Sequence, residues 1–176
     1  MTRPRFEVAT DAPPVQGQPY YAAEDYALGF KITPEELQQC AGRGGRTSLL
    51  IGTVQLEVAI DNSRCLYVWR YSPMAGWIRS SLTAPQAPPG SLKVIVGDPL
   101  ERGISIGLEE MVPISTCFDP TSGWLCVGHQ LPDSGASYVE FATQTVATIV
   151  DSRLHSLWVR LNNWRELVRS ANQTLW

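Results

Sequence analysis

Short segments in which every second side chain is apolar recur along the chain, and this pattern limits the fold more than any other feature. Within residues 53–61, for example, Val54, Leu56 and Val58 alternate with polar neighbours such as Gln55. A period of two is that of a β-strand with one face on the core. The sequence therefore predicts strands as the main elements of this protein.

Tight turns connect these segments as hairpins. Residues 61–63 and 151–153 have turn composition, and Asp119, Pro120 and Gly123 combine a side-chain acceptor, a fixed φ and a residue suited to positive φ. The strands predicted in this way cover residues 53–61, 65–71, 76–82, 92–96, 103–108, 111–118, 124–127, 138–142, 144–150 and 154–161. Since no βαβ units alternate, we predict an α+β fold with a mostly antiparallel sheet, curved or folded into two layers.

Two helices are predicted, one near each end of the chain. Thr33 is a suitable N-cap, Pro34 fits the first helical position, and Glu36 completes a capping box. Gly42 and the glycines after it end this short helix. A C-terminal helix is predicted to begin near Asn163, whose side chain we expect to cap it.

The domain organisation is simple, with one internal similarity. We expect residues 1–19, which are rich in proline, to form an irregular N-terminal arm or a short strand, and residues 20–176 to form a single α+β domain. Residues 60–70 resemble residues 149–160, because both have Ser-Arg at a turn and a tryptophan five residues after that arginine. Either hairpins reuse the same turn chemistry, or the sheet system has two related halves.

Net charge and hydropathy limit the partners and the location. The net charge is −3 and the isoelectric point is about 5.4, which argues against nucleic acid as a partner because such proteins concentrate Lys and Arg. No apolar run follows the basic N-terminal residues, and no stretch of about 18 apolar residues exists. We therefore expect a cytoplasmic protein without a membrane span.

The residues that most often bind metals do not form a recognisable motif. The chain has four cysteines without a CxxC spacing: Cys40, Cys65, Cys117 and Cys126. We expect all four to be reduced thiols, although Cys117 and Cys126 flank a predicted turn and can face each other across a hairpin. His129 and His155 lie too far apart for a helix-face or finger pattern, so we expect no metal and no cofactor.

The segment 41–46, Ala-Gly-Arg-Gly-Gly-Arg, is the one loop that resembles a phosphate cradle. It lacks the Lys-Ser/Thr pair of a P-loop, and it follows the predicted helix instead of preceding one. We interpret it as a flexible connector.

Charged and aromatic residues near loops are the candidates for binding. The residues that we expect to contact a protein partner are four carboxylates and two tryptophans that follow glycine: Asp98, Glu101, Glu109, Glu110, Trp77 and Trp124. A solvated hairpin loop is the alternative explanation of the carboxylates. If the curved sheet instead holds a pocket, the residues expected to line it are Tyr67, Trp69 and Trp158.

The stretch from Phe118 to Trp164 combines an Asp-Pro turn, a strand, and two strands around a turn that contains Asp151. In this it resembles small uncharacterised bacterial β-rich proteins, among them immunity proteins of polymorphic-toxin systems. The resemblance implies a protein that neutralises a bacterial toxin, and it assigns no catalytic residue.

The sequence contains no recognisable catalytic constellation, so we favour a protein that is not an enzyme. The first hypothesis is a non-catalytic protein-binding module, such as an immunity protein that covers the active site of a toxin. The second is a small-molecule-binding domain or enzyme with a pocket in a curved sheet. The third is a structural subunit of a phage or secretion assembly, which an exposed, self-associating edge strand would support.

Overall fold

The computed structural model describes residues 3–108, 114–130, 132 and 134–174, and it shows a mostly-β fold with 46% strand and 12% helix. The first half of the chain contains β1 Arg5–Ala9, β2 Gln18–Ala22, β3 Ala27–Lys31, α1 Pro34–Ala41, β4 Arg46–Ile51, β5 Val54–Ala59 and β6 Cys65–Tyr71. The second contains β7 Ile78–Arg79, β8 Ser91–Ile95, β9 Ile106–Gly107, β10 Thr116–Phe118, β11 Trp124–Gly128, β12 Ala136–Ala142, β13 Thr145–Val150, β14 Arg153–Arg160 and α2 Trp164–Thr174. No helix in these residues is long and apolar enough to cross a membrane.

The strands form two six-stranded sheets and one two-stranded ribbon. The first sheet has the order β2-β3-β6-β5-β4-β9, the second has the order β12-β13-β14-β11-β10-β7, and β1 pairs with β8 in the ribbon. All pairs between named strands are antiparallel except β4–β9 and β7–β10, so the predicted antiparallel character is confirmed. A single hydrophobic cluster takes buried residues from both sheets, for example Leu56 and Val58 from the first and Leu125 and Leu157 from the second.

Both sheets are built with the same topology. Each begins with a hairpin, β2–β3 or β10–β11, and continues with a three-stranded meander, β4–β5–β6 or β12–β13–β14. In each sheet the last strand of the meander pairs with the second strand of the hairpin. The strand orders are therefore equivalent, and only the added strands β9 and β7 differ in position.

The internal similarity of the sequence maps onto equivalent positions of the two sheets. Trp69 pairs with Gln55 in the β5–β6 ladder, and Trp158 pairs with Val146 in the β13–β14 ladder. Each ladder also has a register shift two residues after the turn arginine, at Leu66 in β6 and at His155 in β14. Hairpins that merely shared turn chemistry would not share their bulges and sheet positions, so the structure favours two related halves.

The β1–β8 ribbon lies between the two similar turns. Phe6 and Val94 are direct partners in the ribbon. The Phe6 N–H donates to the Ser152 carbonyl at 2.8 Å, and the Val94 N–H donates to the Ser63 carbonyl at 2.9 Å. Because Ser63 and Ser152 hold equivalent places in their turns, these bonds relate the halves by a local two-fold arrangement.

The long outer strands of the two sheets have their free edges covered. On β2, the Pro19 carbonyl accepts from the Asn162 N–H, and the Tyr21 N–H donates to the Asn163 side chain. On β12, the Glu140 N–H donates to the Pro88 carbonyl. Since a covered edge cannot add a further strand, neither of these strands offers the self-associating edge that a structural subunit would use.

The two helix starts differ in part from the sequence predictions. The Thr33 hydroxyl accepts from the Glu36 N–H at 3.2 Å, which confirms the N-cap, but the Glu36 carboxylate accepts from the Gln16 N–H and does not close a capping box. Asn163 precedes α2, yet its side chain bonds to both backbone groups of Tyr21. In both cases a donor or acceptor from a distant segment replaces the local partner.

Several predicted strands also required correction. The segment 76–82 forms only the two-residue strand β7, and the segment 103–108 only β9. β5 is buried on both faces, because Gln55 and Glu57 on its polar face are covered as fully as its apolar residues. The segment 109–113 lies outside the described residues.

Candidate functional site

An open groove of about 510 Å³ lies on the first sheet beside α1. It is lined by residues of α1, the loop that follows it, β4, β5 and the loop before β9: Pro34, Leu37, Gln38, Ala41, Gly42, Arg43, Gly45, Arg46, Glu57 and Arg102. The strand residues Arg46 and Glu57 place the groove on the outer face of this sheet, the face that α1 partly covers. We call this surface the outer face of the first sheet.

Glu57 is the centre of the polar network on this face. Its carboxylate accepts three hydrogen bonds: from Arg46 Nε at 3.0 Å, from Ser48 Oγ at 2.9 Å and from the Trp69 indole Nε1 at 2.9 Å. Antiparallel pairing of β4 with β5 places Ser48 opposite Glu57. Pairing of β5 with β6 places Tyr67 opposite Glu57 and Trp69 opposite Gln55. A buried carboxylate that accepts from this many donors is fixed in position.

Three arginines surround the groove. Arg46 is held by Glu57 through its Nε atom, and Arg102 reaches from the loop before β9 to donate to the Gly44 carbonyl at 3.4 Å. A Cβ atom on Gly45 would lie 2.6 Å from Arg102 Nε, and Gly45 has a φ of +91°. Glycine is therefore required at this position both for the backbone conformation and for the approach of the guanidinium.

The Gly-rich loop before β4 does not present its backbone amides to the groove. The N–H groups of Arg43 and Gly44 donate to Asp61 Oδ2 at 2.9 and 2.7 Å. The geometry thus resembles a phosphate cradle, but a carboxylate of the chain itself occupies it. The loop is a connector, as predicted, and Asp61 determines its conformation.

Aromatic side chains extend the outer face of the first sheet beyond Glu57. The Tyr67 ring stacks on the Phe30 ring with centroids 5.2 Å apart. Burial raises the pKa of the Tyr67 hydroxyl, and the nearby Glu57 charge raises it further. Trp69 keeps 37% of its surface exposed although its indole N–H is bonded.

The equivalent face of the second sheet is covered by the chain itself. Residues 80–90 cross it from β10 to β12, and we call them the strap. The strap places Leu82 in a cluster with Trp158, Cys117, Cys126 and Val146. Trp158 is consequently only 1% exposed. The two equivalent tryptophans therefore differ because the strap covers Trp158, whereas α1 covers the outer face of the first sheet only in part and leaves Trp69 exposed.

The expected partner-binding residues are distributed over several surfaces. Asp98 and Glu101 are exposed in the loop that also carries Arg102, whereas Glu109 and Glu110 lie outside the described residues. Trp77 is half-buried, with its ring against Tyr21 at 4.9 Å and against Phe118 at 5.3 Å. Trp124 is half-buried against the cluster under the strap.

The expected pocket residues are brought together only in part. Tyr67 and Trp69 lie on the same strand, β6, and on the same face. Glu57 on the neighbouring strand β5 pairs with Tyr67 and accepts a hydrogen bond from the Trp69 indole. Trp158 lies on the other six-stranded sheet, at the position equivalent to Trp69. The structure therefore does not form a pocket from all three aromatic residues.

The four thiols are buried. Burial raises the pKa of the Cys40 thiol to about 11 and that of the Cys126 thiol to about 12, so both are protonated near neutral pH. Cys117 and Cys126 are free and directly opposite across the β10–β11 hairpin, as predicted. Among the described residues, no three His, Cys, Asp or Glu side chains are grouped as metal ligands.

Glu57, Arg46 and Arg102 were not identified as site residues from the sequence. Glu57 had one signal, since a carboxylate in the middle of a strongly apolar strand needs partners if it is buried. Arg102 had none, because its loop reaches the groove only through the pairing of β9 with β4.

No protein-family model matches this chain, and no curated protein matches it.

Proposed function

We propose that this protein is a non-catalytic protein-binding module and that it binds its partner on the outer face of the first sheet. The observation that carries the proposal is the contrast between the two equivalent tryptophans, since Trp158 is 1% exposed under the strap and Trp69 is 37% exposed. Exposed tryptophan beside a buried polar network is typical of binding surfaces. We also propose that the two large sheets form the layers of an α+β sandwich.

The strap indicates what kind of occupant this face accepts. It is an extended, proline-rich segment, and its two ends are fixed beside β10 and to the outer strand β12 of the second sheet. The Leu82 N–H donates to the Asp119 carboxylate at 3.0 Å, and the Pro88 carbonyl accepts from the Glu140 N–H at 2.9 Å. Because the first sheet has the same strand order, we propose that an extended segment of a partner protein crosses it in the same way.

Two observations favour binding over catalysis. The thiols of Cys40 and Cys126 are protonated near neutral pH, and the Glu57 carboxylate is bonded to three donors and is not free to transfer a proton. An immunity protein that covers the active site of a toxin, the role implied by the sequence resemblance, is one module of this class.

A small anionic molecule is the second candidate for the groove. Its volume of about 510 Å³ falls within the usual range for ligand pockets, and three arginines line it. The open shape and the exposed indole beside it favour a protein segment, because a small ligand would leave Trp69 uncovered.

Site-specific photo-crosslinking tests the proposed function. A photoreactive phenylalanine analogue is placed at Trp69, at Gln38 in the groove and, as a control, at Ile95, which is 43% exposed on β8. We expect adducts at positions 69 and 38 that map to one segment of one protein, and none at 95. We also expect Trp69→Ala to weaken binding of that purified protein at least tenfold. Equal labelling at all three positions, or unchanged affinity of the alanine variant, would refute the proposal.

A further inference from the structure

We propose that the groove beside α1 is a carboxylate-binding site, formed by Arg43, Arg46 and Arg102, that receives an acidic residue or the C-terminal carboxylate of the bound segment. This inference rests on the proposed function and specifies the chemistry of the partner. The two can nevertheless fail separately, because the arginines and Trp69 report on different parts of the surface.

The balance of charge in the groove supports an anionic ligand. Three guanidinium groups line it, and in the part of the chain that the structure describes the only carboxylate that lines it is Glu57. Within the described residues Glu57 pairs with Arg46 alone. Asp61 adds a second carboxylate beside the loop, where its Oδ2 atom accepts from the backbone of Arg43 and Gly44. Three arginines against these two carboxylates leave an excess of one positive charge at the groove, in a chain whose net charge is −3.

Two of these arginines, Arg46 and Arg102, are also held in position for a ligand. Glu57 holds Arg46 through Nε, so the terminal nitrogens of this guanidinium remain available for another acceptor. Arg102 passes over Gly45, which has no side chain to block it. Guanidinium groups with a fixed plane recognise carboxylates by paired hydrogen bonds.

The local backbone favours a carboxylate over a phosphate. Phosphate sites usually add backbone N–H groups of a loop or a helix N-terminus to the cationic side chains. Here Asp61 occupies the loop amides, and α1 lines the groove along its side, from Pro34, which has no N–H to donate, to Ala41. The apolar residues Pro34, Leu37 and Ala41 complete the lining and suit the small side chains of an extended segment.

Peptide binding observed by NMR tests this inference. The probes are three acetylated nine-residue peptides that repeat the unit Ala-Pro-X. The first has Glu at X and an amidated end, and so carries side-chain carboxylates; the second has Gln at X and a free C-terminal carboxylate. The third has Gln at X and an amidated end and is the neutral peptide. The signals followed are the arginine Nε–H groups of Arg46 and Arg102 and the indole N–H of Trp69. We expect saturable shifts of the arginine signals with at least one carboxylate peptide, and at least tenfold weaker binding of the neutral peptide.

Variants identify the groups responsible. We expect the double variant Arg43→Gln with Arg102→Gln to weaken binding of the carboxylate peptide at least tenfold, about 1.4 kcal/mol. The double variant Arg165→Gln with Arg169→Gln, which removes two charges from the exposed face of α2, is the matched control and should change the affinity less than twofold. Tighter binding of the Glu peptide would indicate that the site receives a side-chain carboxylate. Tighter binding of the peptide with the free C-terminus would indicate a C-terminal carboxylate.

Three results would overturn the inference: equal binding of neutral and carboxylate peptides, no arginine shift at millimolar peptide, or an unchanged affinity in the double variant. Tighter binding of inorganic phosphate or of a single-stranded oligonucleotide at the same arginines would also overturn it, in favour of a phosphate site. A carboxylate site that fails while crosslinking at Trp69 succeeds would leave the proposed function intact.

Discussion

Replacing Glu57 with glutamine tests whether the polar network on the outer face of the first sheet stabilises the fold. The carboxylate accepts from Arg46 on Oε1 and from Ser48 and Trp69 on Oε2. An amide has the same shape but only one oxygen. If that oxygen takes the place of Oε2, it keeps two of the three hydrogen bonds and turns the NH₂ group towards Arg46, where donor faces donor.

The expected loss follows from the bond that remains unmade. A hydrogen bond to a charged group contributes about 1.5–3 kcal/mol. The Arg46 side chain is 36% exposed, so water replaces part of this interaction in the variant. We therefore expect Glu57→Gln to lower the free energy of unfolding by about 1–2 kcal/mol. For a chain of this size that corresponds to a fall in Tm of roughly 2–8 °C.

Urea denaturation and a thermal melt, both followed by circular dichroism, measure this change. Glu24→Gln is the matched control because Glu24 is exposed in the turn between β2 and β3, and it should change the free energy of unfolding by less than about 0.5 kcal/mol. A loss in Glu57→Gln as small as that of the control would refute the argument, because it would mean that the ion pair of Glu57 with Arg46 contributes no net stability.

Three further predictions concern the rest of the fold. Thr148→Val should leave stability unchanged or raise it by about 1 kcal/mol, because the buried Thr148 hydroxyl has no hydrogen-bond partner among the residues that the structure describes; a clear loss in urea denaturation would contradict this. Gly123→Ala should lower the free energy of unfolding by more than about 1 kcal/mol, since φ is +80° and the new Cβ would lie 2.3 Å from Trp164 Cδ1, and an unchanged melt would disprove it. Burial and the neighbouring His129 lower the pKa of His155, so as the pH falls this histidine is protonated in the unfolded chain before it is protonated in the folded one. Its contribution to the free energy of unfolding should therefore be fully present above about pH 6.5 and decrease below that pH. His155→Gln should reduce this slope in denaturation curves recorded between about pH 7.5 and 5, and an unaltered slope would show that another group is responsible.

Predictions that depend on neighbouring residues agreed with the structure. The strand 65–71 has the predicted bounds, and the turn at Asp119 has the predicted chemistry, because its carboxylate accepts from the Thr121 N–H at 2.8 Å and Gly123 has a positive φ. The predicted N-cap of α1 is formed by Thr33. In each case every interacting group lies within a few residues, so the local pattern contained the necessary information.

Predictions that required partners from distant segments were incomplete or wrong. Asn163 has the composition of a cap, but the nearby edge of β2 offers its side chain a donor and an acceptor in the same place. The period of two in β5 predicted one solvated face, whereas α1 and the neighbouring strands cover both. Burial of this kind depends on what packs above the sheet, which the pattern of a single strand does not contain.

The sequence by itself determined the longer strands from β5 to β14, the turns between them, the start of the first helix and the similarity of two hairpins, because spacing and turn chemistry are properties of adjacent residues. The strands β2, β3 and β4 were not predicted. The tertiary structure alone decided that the hairpins occupy equivalent places in two sheets, that the strap covers Trp158 and leaves Trp69 exposed, and that Arg46, Glu57 and Arg102 meet at one groove. The physical reason is that a binding site needs charges and rings from segments far apart in the chain, and only the pairing of whole strands brings those segments together.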